Sequence, residues 1–401
     1  MVTGQNKGIK VKDLIALLPL DLLESKAAQT KVDHSVKKLF GREMFLLLLM
    51  SILDSERVSL RIMEDLYSSN QFQFFSGIQA ERKTKFTSLS DRLKHINAEF
   101  FEEIFKASYE IFSKNFKAEQ IKKHFIIRFD STCISASAKL LHEGMVNGFP
   151  NTKTNQYAIR QIKFTIGFNG MLPSTAKMYS NQKHLGEDIT LGETILEYGA
   201  EKNSIAVFDR GLKKRITFGE FSKQGKLFVT RINPTKSYRI ISTNEKVNSV
   251  KSESLELISD EWVYLFHQDK IKFKVPFRLI KAKRLEDDQI LFFVTNSKDI
   301  DALSITEIYK SRWDIEVFFR FLKQELNLKH FTSFSLNGIK VILYVQLIAS
   351  MLIMLYKKFN NIDGYKRAKI RFMQALDNEI TRLIVEICGG NPDKTPYLNS
   401  T

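Results

Sequence analysis

The sequence predicts an α/β protein: a mixed core of strands and helices, interrupted by a β-rich insertion and carrying helical regions at both ends. Three observations predict it. The first 120 residues carry mainly helical spacing of apolar residues, HFIIRFD, RQIKFTIGF and SIAVFD are short strand-like runs rich in Ile, Phe and Val, and the helically spaced TLGETILEYGAEKNS falls between the last two. Strands that interleave with helices form mixed α/β layers.

Taken in order, the N-terminal region contains MFLLLLMSIL at 44–53, about half the length needed to cross a bilayer, which reads as a buried helix. The polar, basic stretch 68–90 reads as a linker or a nucleic-acid-contacting loop. From Leu89 onward, Leu93, Ile96, Phe100, Ile104 and Ile111 recur at helical spacing, with Ser88 and Asp91 as a capping box at the start. Strand character begins near residue 124. Between residues 237 and 289, EWVYLF and KIKFKVPFRLIKAK give strand signals with no helix between them, and this stretch reads as the insertion. Helices return from Ile305 to Leu326 and from Ile339 to about Ile387, where Gly389, Gly390 and Pro392 end them. Within the latter, VILYVQLIASMLIMLY contains Gln346 and Ser350 and reads as a buried core helix. The domains expected are therefore 1–120, a helical region; 121–236 with 289–336, the mixed α/β core; 237–288, the β-rich insertion; and 337–401, a second helical region.

The chain of 401 residues has a formal net charge of +16, a field that attracts polyanions and gains from counterion release. Nucleic acid is the partner this favours. An anionic membrane surface is the rival, but the basic residues are spread along the chain and form no juxtamembrane cluster. Cys133 and Cys388 are far apart and have no Cys or His neighbours, so neither a disulfide framework nor a zinc site is indicated. Asp13 breaks the first apolar run and no small-residue cleavage site follows, so the chain reads as cytosolic.

Two carboxylates stand at strand ends, Asp130 in IIRFDST and Asp209 in IAVFDRG. Each alone is a turn signal. Together, on neighbouring strands of one sheet, they are a pair of hard oxygen donors suited to Mg²⁺ or Mn²⁺. Two such ions activate an attacking oxygen and stabilise the leaving one in phosphodiester chemistry, and that site calls for a third carboxylate.

The stretch YKSRWDIEVFFRFLKQEL, residues 309–326, supplies it. Drawn as one helix at about 100° per residue, Tyr309, Arg312, Glu316 and Lys323 fall within an arc of about 60°. Ile308, Ile315, Phe319, Leu322 and Leu326 flank this stripe on one side, and Trp313, Val317 and Phe321 on the other. Asp314 and Glu325 point about 170° away from it. The simplest alternative is that Arg312 and Glu316 form only an i to i+4 ion pair.

The spacing Tyr-x₂-Arg-x₃-Glu-x₆-Lys resembles the signature of DDE transposases of bacterial insertion sequences, the IS four family. FDST, HLGED at His184, VFDRG, LFVTRI and FVTN occur in the family's order, so the likeness covers about residues 120–335. The N-terminal REMFLLLLMSIL resembles the family's end-binding region more loosely. The resemblance implies a ribonuclease H-like catalytic core with a β-rich insertion before the Glu helix. It implies a metal-binding triad of Asp130, Asp209 and Glu316 with Mg²⁺ (Mn²⁺ substituting), and DNA contacts from Tyr309, Arg312 and Lys323. The implied activity is cleavage of double-stranded DNA at terminal inverted repeats by a homodimer, followed by joining of the 3′-hydroxyl ends to target DNA. Some members stack a flipped base on a Trp in the strand before the signature helix. Here Leu291 and Phe292 occupy that place, so Phe292, Phe293 and Trp262 read first as sheet core and second as stacking platforms. Lys213, Lys214 and Arg215, and Lys281, Lys283 and Arg284, are basic runs able to meet phosphates, with a solvated face as the default reading of each. The rival functions are a nuclease without strand transfer and a catalytically silent DNA-binding protein.

Overall fold

The computed structural model describes residues 8–54, 57–78, 82–118, 120–121, 124–148, 158–199, 203–233, 238–244, 250–266 and 275–394. The chain divides into two compact units: residues 1–117, 134–161 and 319–401 form one, and residues 118–133 and 162–318 the other.

The first unit is helical. It contains α1 (Val11–Ala16), α2 (Leu20–Thr30), α3 (Gly41–Asp54), α4 (Leu60–Tyr67), α5 (Asn70–Ser76), α6 (Phe86–His95), α7 (Ala98–Asn115), α12 (Leu336–Phe359) and α13 (Tyr365–Ile387), with a short strand β3 (Met145–Asn147) pairing to residues 159–161. Its centre is α12, which packs against α1, α3, α6, α7 and α13. Among the described residues, α12 is the single helix long and apolar enough to cross a membrane, but 94% of its apolar window is buried within the protein. A helix apolar on all sides needs apolar neighbours on all sides, and the five surrounding helices provide them.

Several expected boundaries move. The periodic stretch from Leu89 is two helices, because α6 ends at His95 and Asn97 caps α7 by accepting from the Glu99 amide at 3.0 Å. Asn337 of α12 completes the break, donating to the carbonyls of Leu93 (3.0 Å) and Ile96 (2.7 Å), which would otherwise be orphaned at the helix end. Ser88 and Asp91 lie inside α6, not at its cap. The stretch 68–90, read as a linker or loop, includes α5 and the start of α6. There Ser69 caps α5, and Phe72 is fully buried.

The second unit is a twisted sheet between helical layers. Its strands are β1 (Gln120–Ile121), β2 (His124–Ser137), β4 (Ile159–Phe168), β5 (Pro173–Tyr179), β6 (Ser204–Phe208), β7 (Leu227–Ile232), β8 (Tyr238–Thr243), β9 (Leu255–Leu265), β10 (Phe277–Arg284) and β11 (Ile290–Thr295). The order β4-β2-β6-β7-β11-β10-β9-β8 runs across the sheet, with β5 on β4 and β1 on β2. β2, β6 and β7 are parallel, while β7 to β8 continue antiparallel. The helices are α8 (Glu187–Glu197), α9 (Arg215–Lys223), α10 (Ala302–Lys310) and the start of α11 (Trp313–Glu325).

Alternation along the strands sorts the core into two clusters. Ile126, Ile205, Val207 and Val229 face Ile305 and Ile308 of α10. Ile127, Ala206, Phe208 and Phe228 face Leu191 of α8 with Phe218 and Phe221 of α9. Strands β8 to β10, between residues 238 and 284, extend this sheet, and β9 and β10 are joined by a buried ion pair. Arg278 donates through Nε to Asp260 at 2.8 Å and through Nη2 to its second oxygen, and Nη1 reaches the carbonyl of Ile300, just before α10. Removing one partner strands a buried charge, so Asp260→Ala should destabilise the protein by about 3–5 kcal/mol, read as a lowered thermal midpoint, whereas exposed Asp287→Ala should leave it nearly unchanged.

Candidate active site

The parallel register of β2 and β6 builds the first half of the site. Phe129 stands opposite Phe208, so Asp130 and Asp209 are the next residues along two adjacent strands that lie about 4.8 Å apart. Asp209 follows the end of β6 as expected, whereas Asp130 is in the middle of β2, which continues to Ser137. Parity places both on the α10 face, since Ile126 and Arg128 precede Asp130 at even spacing, and Ile205 and Val207 precede Asp209 in the same way. Asp130 accepts from the Ser131 amide at 2.7 Å, and Asp209 from the Gly211 amide at 2.8 Å. Thr230 of β7, fully buried, donates to the carbonyls of Phe208 (3.0 Å) and Asp209 (3.1 Å) and so fixes the backbone that carries the second carboxylate.

A further carboxylate belongs here that the sequence reading did not single out. A Cβ added to Gly211 would collide with a carboxylate oxygen of Glu187 and lie 2.8 Å from an Asp209 oxygen, so Glu187 and Asp209 share the space above that glycine. Glu187 opens α8, and its neighbour Asp188 accepts from the amides of Lys213 and Lys214, tying the helix start to the loop after Asp209. The signal available in sequence is HLGED itself, whose two acids read there only as part of a family motif.

Crowded, desolvated carboxylates hold their protons. Burial chiefly, then the charges of Asp209 and Glu187, push Asp130 up to about 7 against the pull of the Ser131 amide and Arg312. Glu187 is raised for the same reasons, burial first and Asp209 second.

The signature stretch is not one helix. α10 ends at Lys310, α11 starts at Trp313, and tight turns bridge them, with the Arg312 amide donating to Tyr309 and the Asp314 amide to Ser311. Tyr309, Arg312 and Glu316 nonetheless stay together: the Arg312 guanidinium lies 5.9 Å from the Tyr309 ring centre and pairs with Glu316 at 2.6 Å. The i to i+4 pair is therefore present, and three of the four residues of the expected stripe stay together. Lys323 lies seven residues further along α11, in the portion assigned to the helical unit. Ile308, Ile315, Phe319, Leu322 and Leu326 are buried as expected, but Trp313, expected on an apolar flank, is 54% exposed because it begins the new helix after the break.

A second guanidinium joins the group. Arg231 of β7 lies 5.8 Å from the Tyr309 ring, whose other edge packs on Phe293 at 5.4 Å. The buried Nε atoms of Arg231 and Arg312 have no hydrogen-bond partner. Unsatisfied guanidinium donors are suited to phosphate oxygens. Phe293 is 2% exposed and belongs to the core, which removes it as a base-stacking platform. Phe292 and Trp262 are half-buried. The basic run in the β8–β10 region is neutralised locally: Lys281 pairs with Glu261, Lys283 with Asp288 and Arg284 with Asp287. These acids draw the run away from the phosphate role expected for it.

Among the described residues no group of three or more acidic, His or Cys side chains stands close enough to hold an ion as it is, and Glu316 is paired with Arg312. The donor set still fits Mg²⁺, which is bound through one or two carboxylates together with waters and substrate phosphates. The glycine that lets Asp209 and Glu187 crowd together favours a cation over a further side chain.

The family model described as transposase DDE domain matches residues 122–352. The chain belongs to this DDE transposase family. Two relatives carry the name transposase. The chain is 26% identical over 175 residues to y4zB of Sinorhizobium fredii, covering 44% of this chain and 48% of that one, and 27% identical over 255 residues to the transposase named for insertion sequence element IS4SA of Synechocystis, covering 62% and 65%. The chain thus spans about half to two-thirds of those relatives' lengths. The solved structure of the piggyBac transposase synaptic complex with hairpin DNA aligns over 98% of this chain and 84% of that one, with a TM-score of 0.48 and 10% identity.

A carboxyl whose pKa is raised on folding costs stability as pH climbs from its unfolded value near 4 to its folded value near 7. In the protein without added metal, Asp130→Asn should therefore raise stability at pH 8 by about 1–3 kcal/mol, with the gain shrinking as pH falls through 7 towards 4. Thermal melts with a chelator at stepped pH measure it.

Proposed function

We propose that this transposase binds the inverted terminal repeats of its own element, pairs two ends in a homodimer, cleaves them hydrolytically and joins the freed 3′-hydroxyls to target DNA. The observation that carries the reading is the placement of Asp130 and Asp209 side by side on the sheet face over which α10 and α11 carry Tyr309, Arg312 and Glu316. The sheet β5-β4-β2-β6-β7 with its flanking helices is, on this reading, the ribonuclease H-like core.

Asp130, Asp209 and Glu316 would hold Mg²⁺, with Glu187 beside them. Bound there in pairs, divalent ions supply activation of the attacking oxygen and charge stabilisation at the leaving one. The chain's own groups do the rest. A DNA phosphate offers Arg312 a partner that competes with Glu316, so substrate entry frees that carboxylate to turn towards the two Asp residues. Arg231 and Arg312 donate to phosphate oxygens through nitrogens that are unpartnered in the free protein, Tyr309 adds a hydroxyl donor between them, and Lys323 neutralises charge further along the strand. Hydrolysis breaks the phosphorus bond to the 3′-oxygen. Strand transfer then repeats the displacement, with that 3′-hydroxyl as the nucleophile on target DNA.

Labelled duplex bearing the repeats that flank the reading frame, incubated with Mg²⁺, tests this. Wild type should nick and join it. Asp130→Ala, Asp209→Ala and Glu316→Ala should each cut at least about 10³-fold more slowly while still retarding the duplex in a gel. Cleavage by Glu316→Ala at the wild-type rate would refute the triad, and cleavage without joined product would leave a nuclease. Arg231→Ala should weaken binding to ends of any sequence and flatten its salt dependence by about one phosphate contact.

A further inference from the structure

Arg128 is a charged residue in the middle of a buried strand, only 8% exposed, and the chemistry above makes no use of it. It stands two residues before Asp130, on the same face of β2. Its guanidinium makes three contacts that position these elements: Nη1 donates to the carbonyl of Ile126 in its own strand at 3.1 Å, Nε to the carbonyl of Ser311 at 3.0 Å, and Nη2 pairs with Asp314 at 3.1 Å. Ser311 and Asp314 bracket the turn where α10 stops and α11 starts, two residues before Glu316. One planar group thus spans the strand that delivers Asp130 and the turn that launches Glu316.

The surroundings are shaped for that group. Gly170 has φ +90°, and a Cβ there would sit 2.8 Å from Nη1 of Arg128. The turn holding this glycine is clasped by Asn169, whose side-chain oxygen accepts from the amides of Met171 (2.9 Å) and Leu172 (2.7 Å). The break also divides the acids of α11: Glu316 turns to Arg312, and Asp314 turns the other way, to Arg128.

We propose that Arg128 is a positioning residue, a buried brace acting with Asp314 and the Ser311 carbonyl to set the spacing between Asp130 and Glu316. The proposal rests on the triad reading. Lys cannot replace it, since an ammonium lacks the planar fork that meets a carbonyl and a carboxylate at once. Misplacing a reacting group by about 1 Å costs on the order of 10²-fold in rate.

The test uses the full chain with Arg128→Met, Arg128→Lys, Asp314→Ala, the double variant Arg128→Met/Asp314→Ala, and Glu316→Ala as reference. Four quantities are read: single-turnover cleavage of the labelled ends, metal-free end binding, the thermal midpoint, and hydrogen exchange of the 311–316 amides without DNA. The expected result is that Arg128→Met and Arg128→Lys lose about 10–100-fold in cleavage yet bind ends within twofold of wild type. Amides 311–316 should exchange faster, and the double variant should be no slower in cleavage than Arg128→Met. Asp314 is half-exposed, so Asp314→Ala, with a smaller cleavage loss and the same exchange signature, serves if Arg128 variants do not fold. Folded variants that cleave within threefold of wild type would overturn the brace, as would variants whose cleavage and end binding fall together with unchanged exchange. If Glu316→Ala cuts as fast as wild type, the triad falls and the brace with it. If Glu316→Ala is inert while folded Arg128 variants cut normally, the brace alone falls.

Discussion

The parallel pairing of β2 with β6 fixes where two negative charges must sit. Because Phe129 and Phe208 are partners across the strands, the chain has no freedom to separate Asp130 from Asp209 without giving up ladder hydrogen bonds and the aromatic cluster of Phe208, Phe218, Phe221 and Phe228 beneath them. Two like charges at a strand spacing, in a place that also shelters Glu187, are tolerable if protons or cations share the site. The fold stores this electrostatic tension at Asp130 and Asp209, and the Thr230 hydroxyl with the amides of Ser131 and Gly211 keeps it from relaxing.

The positive side of the site is arranged with comparable economy. Arg231 and Arg312 share one aromatic ring, Tyr309, which is itself anchored on Phe293 of the core. Cations stacked on an aromatic face keep their charge while shedding water. Arg312 then stands between two uses, as partner of Glu316 in the free protein and as partner of a phosphate on the proposed reading. Coupling substrate entry to release of the third carboxylate would keep a hydrolytic site incomplete until DNA arrives.

Much of this was legible in the residues. The strand run ending before Asp209, the strand that carries Asp130, the Tyr309, Arg312, Glu316 grouping and the buried character of 341–356 all follow from period and composition, but the expected strand end at Asp130 does not hold, because β2 continues to Ser137. Less legible were features made by neighbours distant in sequence. Local periodicity carries across Ile96 and Asn97 unbroken, and it takes Asn337, some 240 residues later, to complete the stop there. Lys281, Lys283 and Arg284 look like a phosphate-binding run until their acidic partners are seen beside them. Glu187 reads as an ordinary first-turn acid of a helix, and only the approach over Gly211 joins it to Asp209.

The sequence by itself determined which residue types meet at the site and on which faces, because strand and helix periods are local properties that a side chain carries with it. It pointed to Glu316 over Asp314 and Glu325. Only the tertiary structure decided that the signature helix breaks at Ser311 and Arg312, that Asp314 turns back to a buried Arg128, and that a fourth carboxylate crowds the pair. Those outcomes depend on contacts between segments up to about 183 positions apart, where burial and charge are set by what packs alongside and no local pattern records the partner.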